Sequence, residues 1–440
     1  MRPLKNYSDE LARPKTALKF VGAQGALSAA QSEVILNRLK AMSTNNRIFN
    51  YHLAQEEAIV GTALTVGNQV QLLQNGPAAY EAMLTAIRGA NDHINLETFI
   101  LDDDAIGQAF AQALINKQLD GVQVNLIHDS VGTLHTPRVF FERLKEAGVN
   151  VLEFNPINPF KAKKRWTLNQ RDHRKLLIVD GQIAFLGGIN ISSVYSEGSI
   201  GKIWLPRKKG SIEWRDTDLQ LMGPIVAEFQ KLFIATWERQ KGYPLTNKAY
   251  FPAPTALGDQ VIRAIGSSPD APQSFIYATL LSVISHAQES IYITNAYFAP
   301  DPPLLKALET AARRGVDVTL ILPSASNHSL VFHTGRSYYT RLLRRGVNIY
   351  QRQGVILHSK TTLIDGVWAS VGSTNMDWRS FVHNQELNAV VLGAEFGSQV
   401  QAMFNKDLLA SERITLDRWQ RRGLGLRFKE WFSRLWEYWL

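Results

Sequence analysis

The sequence predicts an α/β fold laid down twice, each half a largely parallel or mixed sheet covered by helices. Three observations lead there. First, His173, Lys175, Asp180, Gly181, Gly187 and Asn190 match His358, Lys360, Asp365, Gly366, Gly372 and Asn375 without a gap, each pair 185 positions apart. Second, Arg143-Leu144 with Gly148-Val149-Asn150 echoes Arg341-Leu342 with Gly346-Val347-Asn348 at an offset of 198, so loop insertions separate the two copies. Third, short apolar runs alternate with stretches of helical length, the pattern of strands joined by crossover helices. Self-similarity of this kind organises the whole chain.

The elements follow in order. A helix is expected over Ser28–Met42. In the first copy a helical stretch (Ala78–Gly89) precedes a strand (His93–Leu101), a second helix (Ala105–Leu119) and a strand after Gly121 (Val122–His128). The second copy repeats this with Gln273–Ala287, Ser290–Phe298, Pro303–Arg314 and, after Gly315, Val316–Pro323. A third helix ends at Gly148 or Gly346, and another strand follows. Each motif then reads as strand, turn, strand. Leu176–Val179 and Ile183–Leu186 flank Asp180-Gly181, and Thr361–Ile364 and Val367–Val371 flank Asp365-Gly366. Tyr243–Pro254, with Pro244, Pro252 and Pro254, reads as the linker between halves. The expected division is an N-terminal extension (1–60), a first repeat (61–245), a second repeat (246–412) and a C-terminal tail (413–440).

Composition bounds the function. With 440 residues, 45% hydrophobic and 20% charged, the chain suits two globular domains or one duplicated unit, not a disordered polymer. No apolar stretch is long enough to span a bilayer as a helix, and Met1–Leu18 carries charges of both signs without the apolar core of a secretory signal. Cysteine is absent, which removes disulfides, thiolate nucleophiles and cysteine-held zinc together. The net charge of +9 favours an anionic partner, nucleic acid or an anionic membrane surface, without choosing between them.

The chemistry sits in the repeat. Residues i and i+2 of a strand face one side, so His173 with Lys175, and His358 with Lys360, each present an imidazole and an ammonium to one surface. That pair suits attack on a phosphodiester. A lysine holds the non-bridging oxygens and stabilises developing charge. One histidine can attack phosphorus and form a phosphoryl-enzyme; the other protonates the leaving alkoxide and later deprotonates the incoming hydroxyl. Asn190 and Asn375 stand where amide donors would reach the phosphate. Asp180 and Asp365 complete the motif, but their place in the hairpin turn reads as structural. None of this needs a cofactor or a metal, and Asp102-Asp103-Asp104 reads as a turn into the next helix. His128 and Asp129, at a strand end on the active side, read equally as pocket wall or as structure.

The twin H-x-K-x4-D segments, each followed by glycine and asparagine, resemble the phospholipase D superfamily over roughly residues 61–411. Within it the chain is most similar to bacterial cardiolipin synthases, through Gln71-Leu72-Leu73-Gln74-Asn75-Gly76, Glu97-Thr98-Phe99, Trp214-Arg215-Asp216-Thr217-Asp218, Ala296-Tyr297-Phe298-Ala299-Pro300 and Gly372-Ser373-Thr374-Asn375-Met376-Asp377. Gly188 stands where the second motif has Ser373, a departure from the general pattern that removes one hydroxyl. The resemblance implies two pseudo-symmetric α/β/α sandwich halves with the active site at their interface. It implies His173 as nucleophile and His358 as acid/base, each oriented by a downstream carboxylate: Asp218 for His173, with Asp216 a close rival, and Glu386 for His358.

It also implies phosphatidylglycerol as substrate, an anionic phospholipid membrane as partner, no nucleic acid, and a peripheral position on the bacterial inner membrane. A hydrolytic phospholipase D or a nuclease would share the motif, and a lipid-binding scaffold without turnover is the reading of another class. Two further features bear on the membrane. The basic run Lys161, Lys163, Lys164, Arg165, Arg171 and Arg174, with Trp166, leads into the first motif and reads as phosphate or headgroup contact; Lys202, Arg207, Lys208 and Lys209 with Trp204 form a second such loop. In Leu426–Leu440, Phe428, Trp431, Phe432, Leu435, Trp436 and Trp439 recur on one side of a helix with charges on the other, the pattern of an interfacial helix. A loop carrying His328 and His333 is a further candidate for headgroup contact.

Overall fold

A computed structural model of the chain describes residues 18–43, 46–158, 169–196, 198–200, 203–205, 213–271 and 274–436. The duplicated α/β pattern is there, element for element. The first half runs helix Asn75–Gly89, strand His93–Thr98, helix Ala105–Leu119, strand Gln123–Asp129, helix Arg138–Glu146 and strand Asn150–Phe154. The second runs Phe275–His286, Ser290–Asn295, Pro302–Arg313 and Asp317–Pro323. Its third helix is broken into Ser329–Ser337 and Tyr339–Arg344, and the strand Asn348–Arg352 follows.

Both sheets are mixed and share one topology. In the first, His93–Thr98 pairs parallel with Gln123–Asp129 on one side and antiparallel with Leu176–Val179 on the other. In the second, Ser290–Asn295 pairs parallel with Asp317–Pro323 and antiparallel with Lys360–Ile364. The motif hairpins form as expected: Leu176–Val179 with Ile183–Gly187, and Lys360–Ile364 with Trp368–Gly372. Asp180 (φ 53°) and Gly181 (φ 64°), like Asp365 (φ 49°) and Gly366 (φ 64°), take the two left-handed positions of the turn, which Asp-Gly tolerates at little cost.

Three things join the halves. The long strand Leu64–Gln74 pairs antiparallel with Thr217–Met222 of the first half over its later residues and with Gln260–Ser267 of the second over its earlier ones. The helices Ile225–Arg239 and Ala394–Leu409 bury Phe229, Phe233, Phe396 and Val400 in one core with Ile178, Leu219, Val371 and Leu387 from both sheets. Arg215 donates to both carboxylate oxygens of Asp407, at 3.0 and 2.8 Å, across the seam. Between the halves, residues 243–254 form neither helix nor strand.

Residues 18–60 are part of the second half. Helix Ala29–Ala41 begins at a Ser28–Gln31 capping box, which satisfies the N–H groups of Ser28 and Gln31 reciprocally. Phe20, Leu39, Ile48, Phe49 and Leu53 join that half's core. Glu56, wholly buried, lies 3.3 Å from the Arg263 guanidinium and accepts from the Trp368 indole.

Candidate active site

Each motif histidine is reached from a short strand that pairs with the opposite half. Arg171–Asp172 runs parallel to Asn384-Gln385, and the His173 N–H donates to the Gln385 carbonyl at 3.0 Å. Ile356–Leu357 runs parallel to Trp214–Arg215, and the His358 N–H donates to the Arg215 carbonyl at 2.8 Å. The next residue on each facing strand is a carboxylate. Glu386 therefore meets Nδ1 of His173 at 3.1 Å, and Asp216 meets Nδ1 of His358 at 2.7 Å.

This corrects the expected pairing. Glu386 serves His173, not His358, and Asp216 serves His358; Asp218 touches neither imidazole. The reason is the exchange of strands across the seam, which hands each carboxylate to the other half's histidine. Asp218 lies two residues on and faces inward, its Oδ1 accepting from the Ile189 N–H at 3.0 Å. Burial first, then the Asp216 charge, pushes its carboxyl up to about 8, so it is neutral at pH 7. The second half carries Asn388 at that register position, opposite Gly372 as Asp218 is opposite Gly187. A protonated aspartate there is close in shape and hydrogen bonding to the asparagine.

Glu386 is further held by Asn384 Nδ2 at 3.3 Å and by the Ser373 hydroxyl. Burial opposes its charge, but His173, Lys175 and the Ser373 bond outweigh burial and keep the carboxyl below its usual range. Asp216 is held below its usual range in the same way, with burial outweighed by Lys360 and His358. A carboxylate can only accept, so Nδ1 of each histidine carries the proton and Nε2 presents its lone pair.

The lysines stand beside the imidazoles. Lys175 donates to its neighbour's carbonyl, His173 O, at 2.6 Å, and Lys360 donates to His358 O. Lys360 Nζ is also 2.8 Å from Nδ1 of His358. Their rings of contact differ: Lys175 lies over Phe99 and Lys360 over Tyr297. Burial, opposed by Glu386, brings Lys175 down to about 7. Burial, opposed by Asp216, brings Lys360 down to about 8. Burial and then the adjacent lysine bring His173 to about 4 and His358 to about 3. Lys360 also acts on His173 and Lys175 on His358, so the twin motifs form one electrostatic site.

The other expected residues fall as follows. Asp180 accepts from the N–H groups of Asn91, Asp92 and His93, and Asp365 from those of Gln288, Glu289 and Ser290, so both tie their hairpin to the preceding loop away from the imidazoles. Asn190 accepts from the Ile100 N–H and donates to the Tyr195 hydroxyl at 2.8 Å, so part of its amide is committed within the fold. Asn375 is buried near Lys360 and its Oδ1 has no hydrogen-bond partner among the described residues. Asp104 caps helix Ala105–Leu119 through Ile106 N and Gly107 N. His128 stacks on Phe141 at 3.9 Å, and Asp129 lies 3.6 Å from Arg171.

The basic run before the motif divides. Lys161, Lys163, Lys164, Arg165 and Trp166 lie outside the described residues, as do Lys202, Arg207, Lys208 and Lys209. Arg171 and Arg174, expected at phosphates, are instead buried: Arg171 pairs with Asp129, and Arg174 donates to Glu386 O and Thr236 Oγ1. They hold the motif strand in place from behind. Sequence reading also passed over the aromatic surround of His358, where the rings of Trp214, Tyr195 and Tyr297 lie 5.2, 5.6 and 5.9 Å away. The signal for Trp214 and Tyr297 was present in the conspicuous Trp214-Arg215-Asp216 and Ala296-Tyr297-Phe298 stretches.

Residues 83–198 and 280–408 match the family model described as cardiolipin synthase, phospholipase-D-like domain. The chain is 34% identical over 376 residues to a cardiolipin synthase of Geobacillus sp. strain WCH70, covering 84% of this chain and 72% of that protein. It is 31% identical over 437 residues to a cardiolipin synthase of Alkalihalophilus pseudofirmus, covering 99% and 82%. Among solved structures, phosphatidylserine synthase of Haemophilus influenzae superposes with a TM-score of 0.60 at 12% identity, over 84% of this chain and 95% of that one.

Proposed function

Because the chain belongs to the cardiolipin synthase family of phospholipase-D-like proteins, we propose that it is a phosphatidyltransferase that makes cardiolipin from phosphatidylglycerol. The observation that carries the mechanism is the crossed pair of histidine–carboxylate contacts, His173–Glu386 and His358–Asp216. Nε2 of His173 attacks phosphorus while the bond from phosphorus to the glycerol headgroup oxygen breaks. His358, protonated once the substrate phosphate offsets the two lysines, gives its proton to that oxygen, and glycerol leaves. A second phospholipid with a free hydroxyl then attacks the phosphoryl-histidine. His358 takes the hydroxyl proton, the nitrogen–phosphorus bond breaks, and both histidines return to their starting state. Lys175 and Lys360 neutralise the non-bridging oxygens in both displacements.

Transfer to a lipid hydroxyl in place of water calls for a site that admits the acceptor and excludes solvent. The motif histidines and lysines are all buried, His173 the most open of the four at 8% exposed. The protein acts peripherally on the anionic inner membrane of a bacterium, and among the described residues no helix is long and apolar enough to cross one. Incubation of purified protein with phosphatidylglycerol liposomes, followed by mass spectrometry of the lipids, is the test. Cardiolipin with free glycerol is the expected outcome; phosphatidic acid alone would make the enzyme a hydrolase, and unchanged lipid would refute the reading.

A further inference from the structure

The C-terminal helix (Leu424–Arg434) is docked with its polar side inward. Glu430 is 1% exposed and Ser433 4%, while Phe428, Trp431 and Phe432 are 63, 58 and 47% exposed. Ordinary packing would place these faces the other way round, since a buried charge costs far more than an exposed ring. The inversion is held by specific ion pairs. Arg422 donates to Glu430 at 2.7 and 2.9 Å, and Arg336 reaches it at 3.5 Å. Both guanidiniums lie over the Trp419 ring, and Arg434 lies over Tyr338. The outward rings form one patch, Phe428 lying 5.8 Å from Trp431 and 6.4 Å from Phe432.

Position gives the patch its meaning. Arg336 belongs to helix Ser329–Ser337, which packs on the two-residue strand Phe298–Ala299 beside the site. His328, at the start of that helix, has its ring 5.2 Å from Tyr297, and Tyr297 lies 5.9 Å from His358. The helix that carries the rings is thus clamped to the element that borders the acid/base histidine.

We propose that this helix lies in the surface of an anionic bilayer, its rings among the lipid chains, and that the Glu430 clamp holds the mouth of the active site against that surface. The inference rests on the proposed use of a bilayer lipid as substrate and adds where and how the protein meets it. Charge selects the occupant. Arg427, Lys429 and Arg434 flank the rings, and among the described residues Asp417 is engaged with Arg421 and Glu430 with Arg336 and Arg422. Two copies of such a face would repel each other, whereas anionic headgroups would draw it in. Tryptophan and phenylalanine beside basic residues are the side chains that favour the lipid interface.

The test separates docking from chemistry by using the full chain in two assays. Sedimentation with phosphatidylglycerol–phosphatidylcholine vesicles needs no turnover; activity on dissolved short-chain phosphatidylglycerol needs no bilayer. The double substitution Trp431→Ser with Phe432→Ser is expected to weaken vesicle partitioning by roughly tenfold or more and to leave activity on the dissolved substrate unchanged. Glu430→Gln, which keeps the shape and removes the charge, is expected to retain vesicle binding yet lose several-fold in vesicle turnover only. Undiminished partitioning of the double variant would overturn the docking surface. So would a wild-type dimer in ultracentrifugation that the double variant converts to monomer, because the rings would then be covered by a second copy. Full vesicle turnover in Glu430→Gln would overturn the clamp. Absence of cardiolipin with intact vesicle binding would refute the reaction and leave the surface standing.

Discussion

A Cβ on Gly188 would lie 2.2 Å from Oδ1 of Asp216, so glycine and carboxylate divide one small volume between them. The second half solves the same problem the other way, with Ser373 donating to the longer Glu386. What reads in the sequence as a missing hydroxyl is the space that lets Asp216 reach His358. Gly188→Ser should displace Asp216 and, through it, His358, lowering kcat by roughly 100-fold, the cost of an ångström's misplacement. Ser373→Ala removes one hydrogen bond from Glu386 and should cost only about tenfold. Equal losses in the two variants would show that Gly188 has no special relation to Asp216.

The proposed mechanism gives the two imidazoles separate tasks, and a leaving group that needs no proton tells them apart. With a p-nitrophenyl phosphatidyl ester, His358→Ala should release one equivalent of nitrophenol in a burst and stall with the phosphatidyl group on His173. His173→Ala should show no burst. The opposite pattern would exchange the roles of the histidines.

pH should act on the empty site through the groups that burial has shifted. His173, at about 4, must be neutral to attack. Lys175 and Lys360, at about 7 and 8, must be protonated to hold the phosphate. On dissolved substrate kcat/KM should therefore fall below about pH 4 and again as pH rises through 7 to 8. The kcat profile should keep its alkaline side to higher pH, because bound phosphate raises both lysines. A kcat/KM level from pH 6 to 10 would contradict the assigned charges.

Asp218 should make stability depend on pH in a way its substitution removes. Its carboxyl is raised from 3.8 to about 8, so between those values the folded chain holds a proton that the unfolded chain has lost. Stability attributable to this group thus falls as pH rises across that window. Asp218→Asn reproduces the Asn388 side of the pseudo-symmetry. It should melt higher than the wild type at pH 8 and close to it at pH 4, followed by differential scanning calorimetry. A lower melting temperature at pH 8 would mean the ionised carboxylate is stabilising.

What could be read from the chain was what depends on near neighbours. The fixed offset located both motifs, and the two-residue alternation placed each histidine and lysine on one face. Arg174, between His173 and Lys175, was expected at phosphates, yet the same alternation turns it to the opposite face, where it bonds Thr236 and Glu386 O. The carboxylate partners were out of reach because they depend on which strand of the far half runs alongside, pairings across 213 and 142 residues that no local pattern encodes. The place of residues 18–60 was hidden for a like reason, since they have no counterpart in the repeat. The helical spacing of Phe428, Trp431 and Phe432 was legible, but not that Glu430 would be the buried side.

The crossed contacts of His173 with Glu386 and His358 with Asp216 make the two halves mutually dependent. Neither is a weaker enzyme in isolation: each would keep an imidazole with nothing to set its tautomer, and a carboxylate with nothing to hold. If the seam opens, both imidazoles lose their partners in the same event, so catalysis should end abruptly with separation and not by degrees. On the proposed mechanism the reaction thereby reports on contact between the halves, with a phosphoryl group transferred only while they are closed on each other.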